Sequence, residues 1–75
     1  MNYSTLATRI KERRKALDIT QTELAERVGM RQQSIQYLES GKGNRTSFIL
    51  ELAKVLRCDH NWLLNGESTT TNKAK

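Results

Sequence analysis

Residues 21–40 read Gln21-Thr22-Glu23-Leu24-Ala25-Glu26-Arg27-Val28-Gly29-Met30-Arg31-Gln32-Gln33-Ser34-Ile35-Gln36-Tyr37-Leu38-Glu39-Ser40, and their spacing decides the fold. Leu24, Ala25 and Val28 make the apolar stripe of one helix, and Gly29 stands where a left-handed residue without a Cβ ends it at least cost. Thr20-Gln21-Thr22-Glu23 is a capping box, in which the Thr hydroxyl and the Glu carboxylate satisfy each other's backbone amides, worth about 1 kcal/mol to the helix start. A second helix runs from about Gln32 to Ser40, with Ile35 and Leu38 inward and Gly41 as its stop. A side chain larger than Ala25 would push this second helix away. Leu24, Val28, Met30, Ile35 and Leu38 are the buried sites that hold the pair at the steep angle of a helix-turn-helix. The plainer alternative is an αα-hairpin inside a small bundle.

The outward positions of the second helix separate these two readings. They are Gln32, Gln33, Ser34, Gln36 and Tyr37. A merely solvated helix face is usually built from Glu and Lys. This face is uncharged, rich in side-chain amides and surrounded by positive charge. A side-chain amide offers one donor and one acceptor, the pair that adenine N6 and N7 present in the major groove. Uncharged readers between basic anchors are what sequence-specific binding needs, because phosphates position and base edges specify.

Working outward, residues 4–18 read as a helix capped by Ser4 or Thr5, with Leu6, Ala7, Ile10 and Leu17 inward and Arg9, Lys11, Glu12, Arg13 and Lys15 on a charged face. Thr46 or Ser47 caps a further helix to about Arg57, whose broad apolar face is Phe48, Ile49, Leu52, Ala53, Val55 and Leu56. Asp59 caps a short last helix carrying Trp62, Leu63 and Leu64 and stopped by Asn65-Gly66. Residues 1–66 therefore form one helix-turn-helix domain. Residues 67–75, almost without apolar side chains, read as a disordered tail or the start of a linker.

The composition agrees. The chain has 75 residues and a formal net charge of +5, with 13 Lys+Arg against 8 Asp+Glu, so it is one small basic domain suited to a polyanion. Only 36% of residues are hydrophobic, and no apolar run approaches the roughly 18 needed to cross a bilayer. No signal-peptide pattern is visible, and one Cys cannot make an internal disulfide. A cytoplasmic protein with no membrane association is expected.

The run from Arg13 to Lys42, with its Gln-Gln-Ser-Ile-Gln core and the closing Trp62-Leu63-Leu64-Asn65-Gly66, resembles the DNA-binding domain of the lambdoid phage repressor and Cro family, and within it most the 434 branch. The resemblance covers about residues 4–66. It implies an all-α, compact five-helix bundle of the phage-repressor type whose second and third helices are the helix-turn-helix. It implies that Gln32 and Gln33 read bases, that Ser34 touches a thymine methyl or a phosphate, and that Gln36 faces a phosphate. Gln21 then holds a backbone phosphate and buttresses Gln32. Tyr37 stands where the 434 branch has another Gln reader, and an aromatic ring favours a thymine methyl or a phosphate. Arg31 is a second departure, placed to reach guanine or a phosphate. Arg14 and Glu39 match a family ion pair tying the first helix to the third.

Lys42, Asn44 and Arg45, next to the amides of residues 46–48 at a helix start, read as a phosphate clamp or as a solubilising loop. Arg9, with Lys11 or Arg13, is a weaker phosphate candidate. The reading helix is roughly 13 Å long at ~1.5 Å per residue, enough for about four base pairs. So short a site recurs constantly, which argues for a homodimer, at least on DNA, with half-sites ~34 Å apart. Its contact is expected at Arg57, Cys58, His60, Asn61 and Trp62, with Trp62 divided between core and interface.

Other functions fit less well. Cys58 near His60 lacks a third orienting group for catalysis, and one Cys with one His leaves a metal site short of ligands. No enzyme activity, small-molecule substrate, metal or cofactor is expected. The expected function is a repressor on a two-fold symmetric operator. The alternative is an antitoxin that also binds a protein partner, although residues 67–75 lack the large anchors such binding uses. An activating role would fall to Glu23 and Glu26.

Overall fold

The computed structural model describes residues 5–43 and 45–66. Five helices follow one another: α1 Leu6–Ala16, α2 Gln21–Val28, α3 Gln32–Glu39, α4 Ile49–Leu56 and α5 His60–Asn65. Each starts or stops where local chemistry dictates. Thr5 caps α1, its Oγ1 accepting from the Thr8 amide at 3.1 Å, while Ser4 lies outside the described residues. The α2 capping box is closed on both sides: Thr20 Oγ1 accepts from the Glu23 amide at 3.0 Å, and Glu23 Oε1 accepts from the Thr20 amide at 2.8 Å. Gly29 ends α2 at φ +90°, and the amides of both Gly29 and Met30 donate to the Ala25 carbonyl.

Two boundaries differ from the sequence reading. The first helix stops at Ala16 rather than near residue 18, because Asp18 turns the chain at φ +58°. The fourth helix begins at Ile49, and neither Thr46 nor Ser47 occupies its N-cap, which falls on Phe48 without a side-chain cap. Thr46 instead accepts from the Phe48 amide at 3.1 Å, in a turn one step ahead of the helix. At the other end Arg57 adopts φ +59° in place of the usual glycine.

One apolar core joins all five helices through Leu6, Ile10, Leu24, Ala25, Val28, Ile35, Leu38, Leu52, Ala53, Leu56 and Leu63, with Ile19 from the α1–α2 turn. Burial of each large aliphatic side chain favours folding by about 1.5–3 kcal/mol. Ala25 lies against the core as the α2–α3 packing requires. Met30 is only half-buried, at its margin.

The charged face assigned to α1 is a correction. Arg9 is 3% exposed. Its Nε donates to the Leu63 carbonyl at 2.8 Å and its NH2 to the Leu64 carbonyl at 3.0 Å, closing the C-terminal end of α5. Arg13 does the same for α4, donating from Nε and NH2 to the Leu56 carbonyl at 3.1 and 2.9 Å. Both guanidiniums occupy helix ends where carbonyls lack intrahelical partners and the helix dipole is negative. Arg9 is therefore a cap rather than a phosphate contact. Burial pushes its guanidinium down from its ordinary value, yet so strong a base keeps its proton.

Candidate nucleic-acid interface

The helical period of α3 sorts its side chains. Ile35 and Leu38 point into the core, while Gln32, Gln33, Gln36 and Tyr37 are exposed and Ser34 is half-buried. Arg31 stands at the N-cap position, exposed and making no capping hydrogen bond from its side chain. An open cleft of about 580 Å³ runs beside this face. It is lined by Met30, Arg31, Gln33, Ser34, Tyr37 and Leu38 from α3 and its approach, and by Arg45, Thr46, Ser47 and Phe48 from the segment before α4. Part of α3 and part of the basic loop thus share one surface. Gln32 and Gln36 lie outside the cleft lining, on the exposed side of α3. Lys42 is exposed on the loop, and Asn44 lies outside the described residues.

Behind the exposed face of α3 sits the ion pair of Arg14 and Glu39. Arg14 Nε donates to Glu39 Oε2 at 2.7 Å and its NH2 to Glu39 Oε1 at 3.0 Å, with the Glu39 side chain 3% exposed. Arg14 NH1 also donates to the Ile19 carbonyl at 3.0 Å. Gln21 Nε2 donates to Glu39 Oε1 at 3.0 Å. The expected buttress from Gln21 to Gln32 is thus replaced by a link from Gln21 to Glu39. The carboxylate ties α1, α2 and the end of α3 together, and its charge is neutralised where α3 would approach phosphates. The bond to Glu39 raises the Arg14 guanidinium above its ordinary value against the opposing pull of burial. Glu23, one of the two acids named for activation, is engaged in the capping box.

The residues expected at a dimer contact fall together at the α4–α5 corner. Arg57 and His60 are exposed, and Cys58, Asn61 and Trp62 are half-buried. Cys58 and Trp62 pack against the core as well. Burial pushes the Cys58 thiol up, Arg13 opposing and Asp59 reinforcing. Among the described residues no group of His, Cys, Asp and Glu is placed to hold a metal, and no helix is long and apolar enough to cross a membrane.

Sequence reasoning missed the capping roles of Arg9 and Arg13 and the place of Met30 and Phe48 in the lining of the cleft. The signal for the arginines was present in their spacing. Arg9 and Arg13 lie three and seven residues after Leu6, on the stripe that buries Ile10.

Two short packed helices joined by a glycine turn, with an amide-rich outer helix and a neighbouring cationic loop, define a helix-turn-helix domain. The chain belongs to the helix-turn-helix family HTH_3, which it matches over residues 10–63. It is 38% identical over 63 residues to an HTH-type transcriptional regulator for the conjugative element R391 from Providencia rettgeri, covering 84% of this chain and 29% of that protein. It is 36% identical over 75 residues to repressor protein C2 of Salmonella phage P22, covering 99% of this chain and 35% of that one. The chain thus spans about a third of the length of these relatives. The solution structure of the P22 c2 repressor DNA-binding domain superposes with a TM-score of 0.77 at 34% identity and 100% coverage of both chains, which establishes the compact all-α five-helix fold. A crystal structure of the P22 c2 repressor in complex with a synthetic operator matches with a TM-score of 0.78 at 33% identity, over 84% of this chain and 97% of that one. These relatives are regulators and repressors rather than enzymes.

Proposed function

We propose that this chain is the DNA-binding domain of a transcriptional repressor of the bacterial cytoplasm. It docks α3 in the major groove of a two-fold symmetric operator and binds there as a homodimer. The observation that carries this reading is the joint surface of α3 and the basic loop. Uncharged reader side chains and the cation Arg45 share one cleft, and the only acid of α3, Glu39, is turned inward onto Arg14. Gln32 and Gln33 read base edges, as in the 434 branch of the family, with Arg31, Ser34 and Tyr37 contributing at the flanks. Lys42, Asn44, Arg45, Gln21 and Gln36 face phosphates. Gln21 opens α2, so its backbone amide is free for an anion while its side chain holds Glu39.

The α4–α5 corner, Arg57 to Trp62, supplies the dimer contact. The contact is small, so the protein is a monomer in dilute solution and pairs on the operator. Amide chemical-shift mapping during titration with a selected duplex tests this reading. The largest changes are expected at residues 31–37 and at the Gln32 and Gln33 side-chain amides, with a second set at 57–62 only when two half-sites are present. Changes centred on α4 and α5 with α3 unaffected would refute it.

A further inference from the structure

The turn after α3 is tied back to that helix by Ser40 and by the packing of Tyr37 over Gly43. Ser40 donates its hydroxyl to the Tyr37 carbonyl at 2.7 Å and accepts from the Lys42 amide at 3.3 Å, bridging the last turn of the helix to the loop. Gly41 turns the chain at φ +88°. Gly43 is different, for its φ lies outside the left-handed region and its backbone suits any residue. A Cβ at Gly43 would nevertheless lie 2.5 Å from Tyr37 Cε2, 2.9 Å from Tyr37 Cδ2 and 3.5 Å from Leu38 Cδ2. Non-bonded carbons approach to about 3.5–4.0 Å. Gly43 is therefore glycine for space, and the Tyr37 ring fills that space. One edge of the ring rests over Gly43 while the side chain as a whole stays 54% exposed.

We infer that Tyr37 is a positioning residue for the basic loop. Its ring seated on Gly43, together with the Ser40 bridge, fixes where Lys42 is presented, so that its cation meets a backbone phosphate in register with the side chains of α3. This rests on the reading of α3 as the DNA-reading helix. A loop attracted to DNA by charge alone would settle in many registers. Here the ring contact and the Ser40 bridge both start from the last turn of α3, so any placement of the helix in the groove also places the turn. Base reading and phosphate contact are coupled through one aromatic ring, and the ring's seat limits how far it can reach towards bases.

The test is a double-variant cycle on Tyr37 and Gly43 in the full chain, read by fluorescence anisotropy on a duplex carrying the selected inverted repeat and on a scrambled duplex. Gly43→Ala is expected to melt like the original protein, because an exposed ring can swing aside. Its affinity for the selected duplex falls about five- to tenfold, and the log–log salt slope loses about one unit as a phosphate contact is lost. Tyr37→Ala gives a similar loss, and the double variant binds no worse than Tyr37→Ala. Losses that multiply in the double variant, or a Gly43→Ala protein that binds unchanged, overturn the inference. A nuclear Overhauser contact between the Tyr37 ring and Gly43 in the free original protein is the second readout, and its absence overturns the inference by itself. If the original protein shows no preference between the two duplexes while that contact is present, the DNA reading fails and the tie between ring and turn stands.

Discussion

Arg9 offers the sharpest test of how this domain is held together. The substitution is Arg9→Ala. The guanidinium is 3% exposed and donates to the Leu63 and Leu64 carbonyls at 2.8 and 3.0 Å. Hydrogen bonds from a charged group contribute about 1.5–3 kcal/mol each, and the carbonyls left behind would be only partly reached by water. The two bonds and the emptied stem together predict a loss of about 3–5 kcal/mol. At roughly 0.05–0.15 kcal/mol per residue a domain of this size holds about 4–11 kcal/mol, so the loss removes from about a quarter to all of the total. In urea, with a slope of about 1 kcal/mol per molar, the midpoint followed by circular dichroism falls by about 3–5 M or the protein is unfolded without denaturant. Arg9→Lys keeps the charge but reaches one carbonyl rather than two, and is expected to retain about half of the difference. An Arg9→Ala protein within about 0.5 kcal/mol of the original, with its salt slope on DNA lowered by ~0.9, would refute the capping role and restore Arg9 to the phosphate face.

Three further outcomes follow from the same geometry. Glu39→Ala strips the acceptor from Arg14 and Gln21 and should cost about 3–5 kcal/mol in urea unfolding, whereas replacing Arg14 and Glu39 together by Met should recover much of it; equal losses in the single and double variants would show that the pair acts by something other than mutual compensation. Gln32→Ala should weaken the selected duplex by about 1–3 kcal/mol and relax preference at one base pair, with random DNA unaffected. A uniform loss on every sequence would remove Gln32 from the readers. Lys42→Ala should weaken all sequences alike and lower the salt slope by about one unit, and an unchanged slope would return Lys42 to a solubilising role.

The helix-turn-helix was legible because its determinants are local. Thr20 and Glu23 bond each other's backbone three residues apart, Gly29 takes a conformation that few other residues tolerate, and the period of Ile35 and Leu38 leaves Gln32, Gln33, Gln36 and Tyr37 outside. The Arg14–Glu39 pair was reached through family resemblance, since nothing in the local pattern links residues on separate helices. Arg9 and Arg13 were misread for a related reason. Their partners are carbonyls of Leu63, Leu64 and Leu56, distant in sequence, and charge suggested solvent although spacing placed both on the buried stripe. The start of α4 failed differently. Thr46 and Ser47 both have cap chemistry, and only the path of the preceding turn decides that Thr46 closes that turn while the helix waits for Ile49. Gly43 carries no signal in the local pattern, and only its spatial neighbour Tyr37 shows why a glycine stands there.

The claim on which everything functional depends is that α3 reads base sequence in duplex DNA. Selection of binding sites from random duplexes at physiological salt tests it most directly. A short inverted repeat is expected, its half-sites centred ~34 Å apart, with base preference that the Gln32 and Gln33 substitutions relax. Recovery of only a salt-sensitive background without sequence preference would contradict it, leaving the positive charge of this domain to serve a different partner.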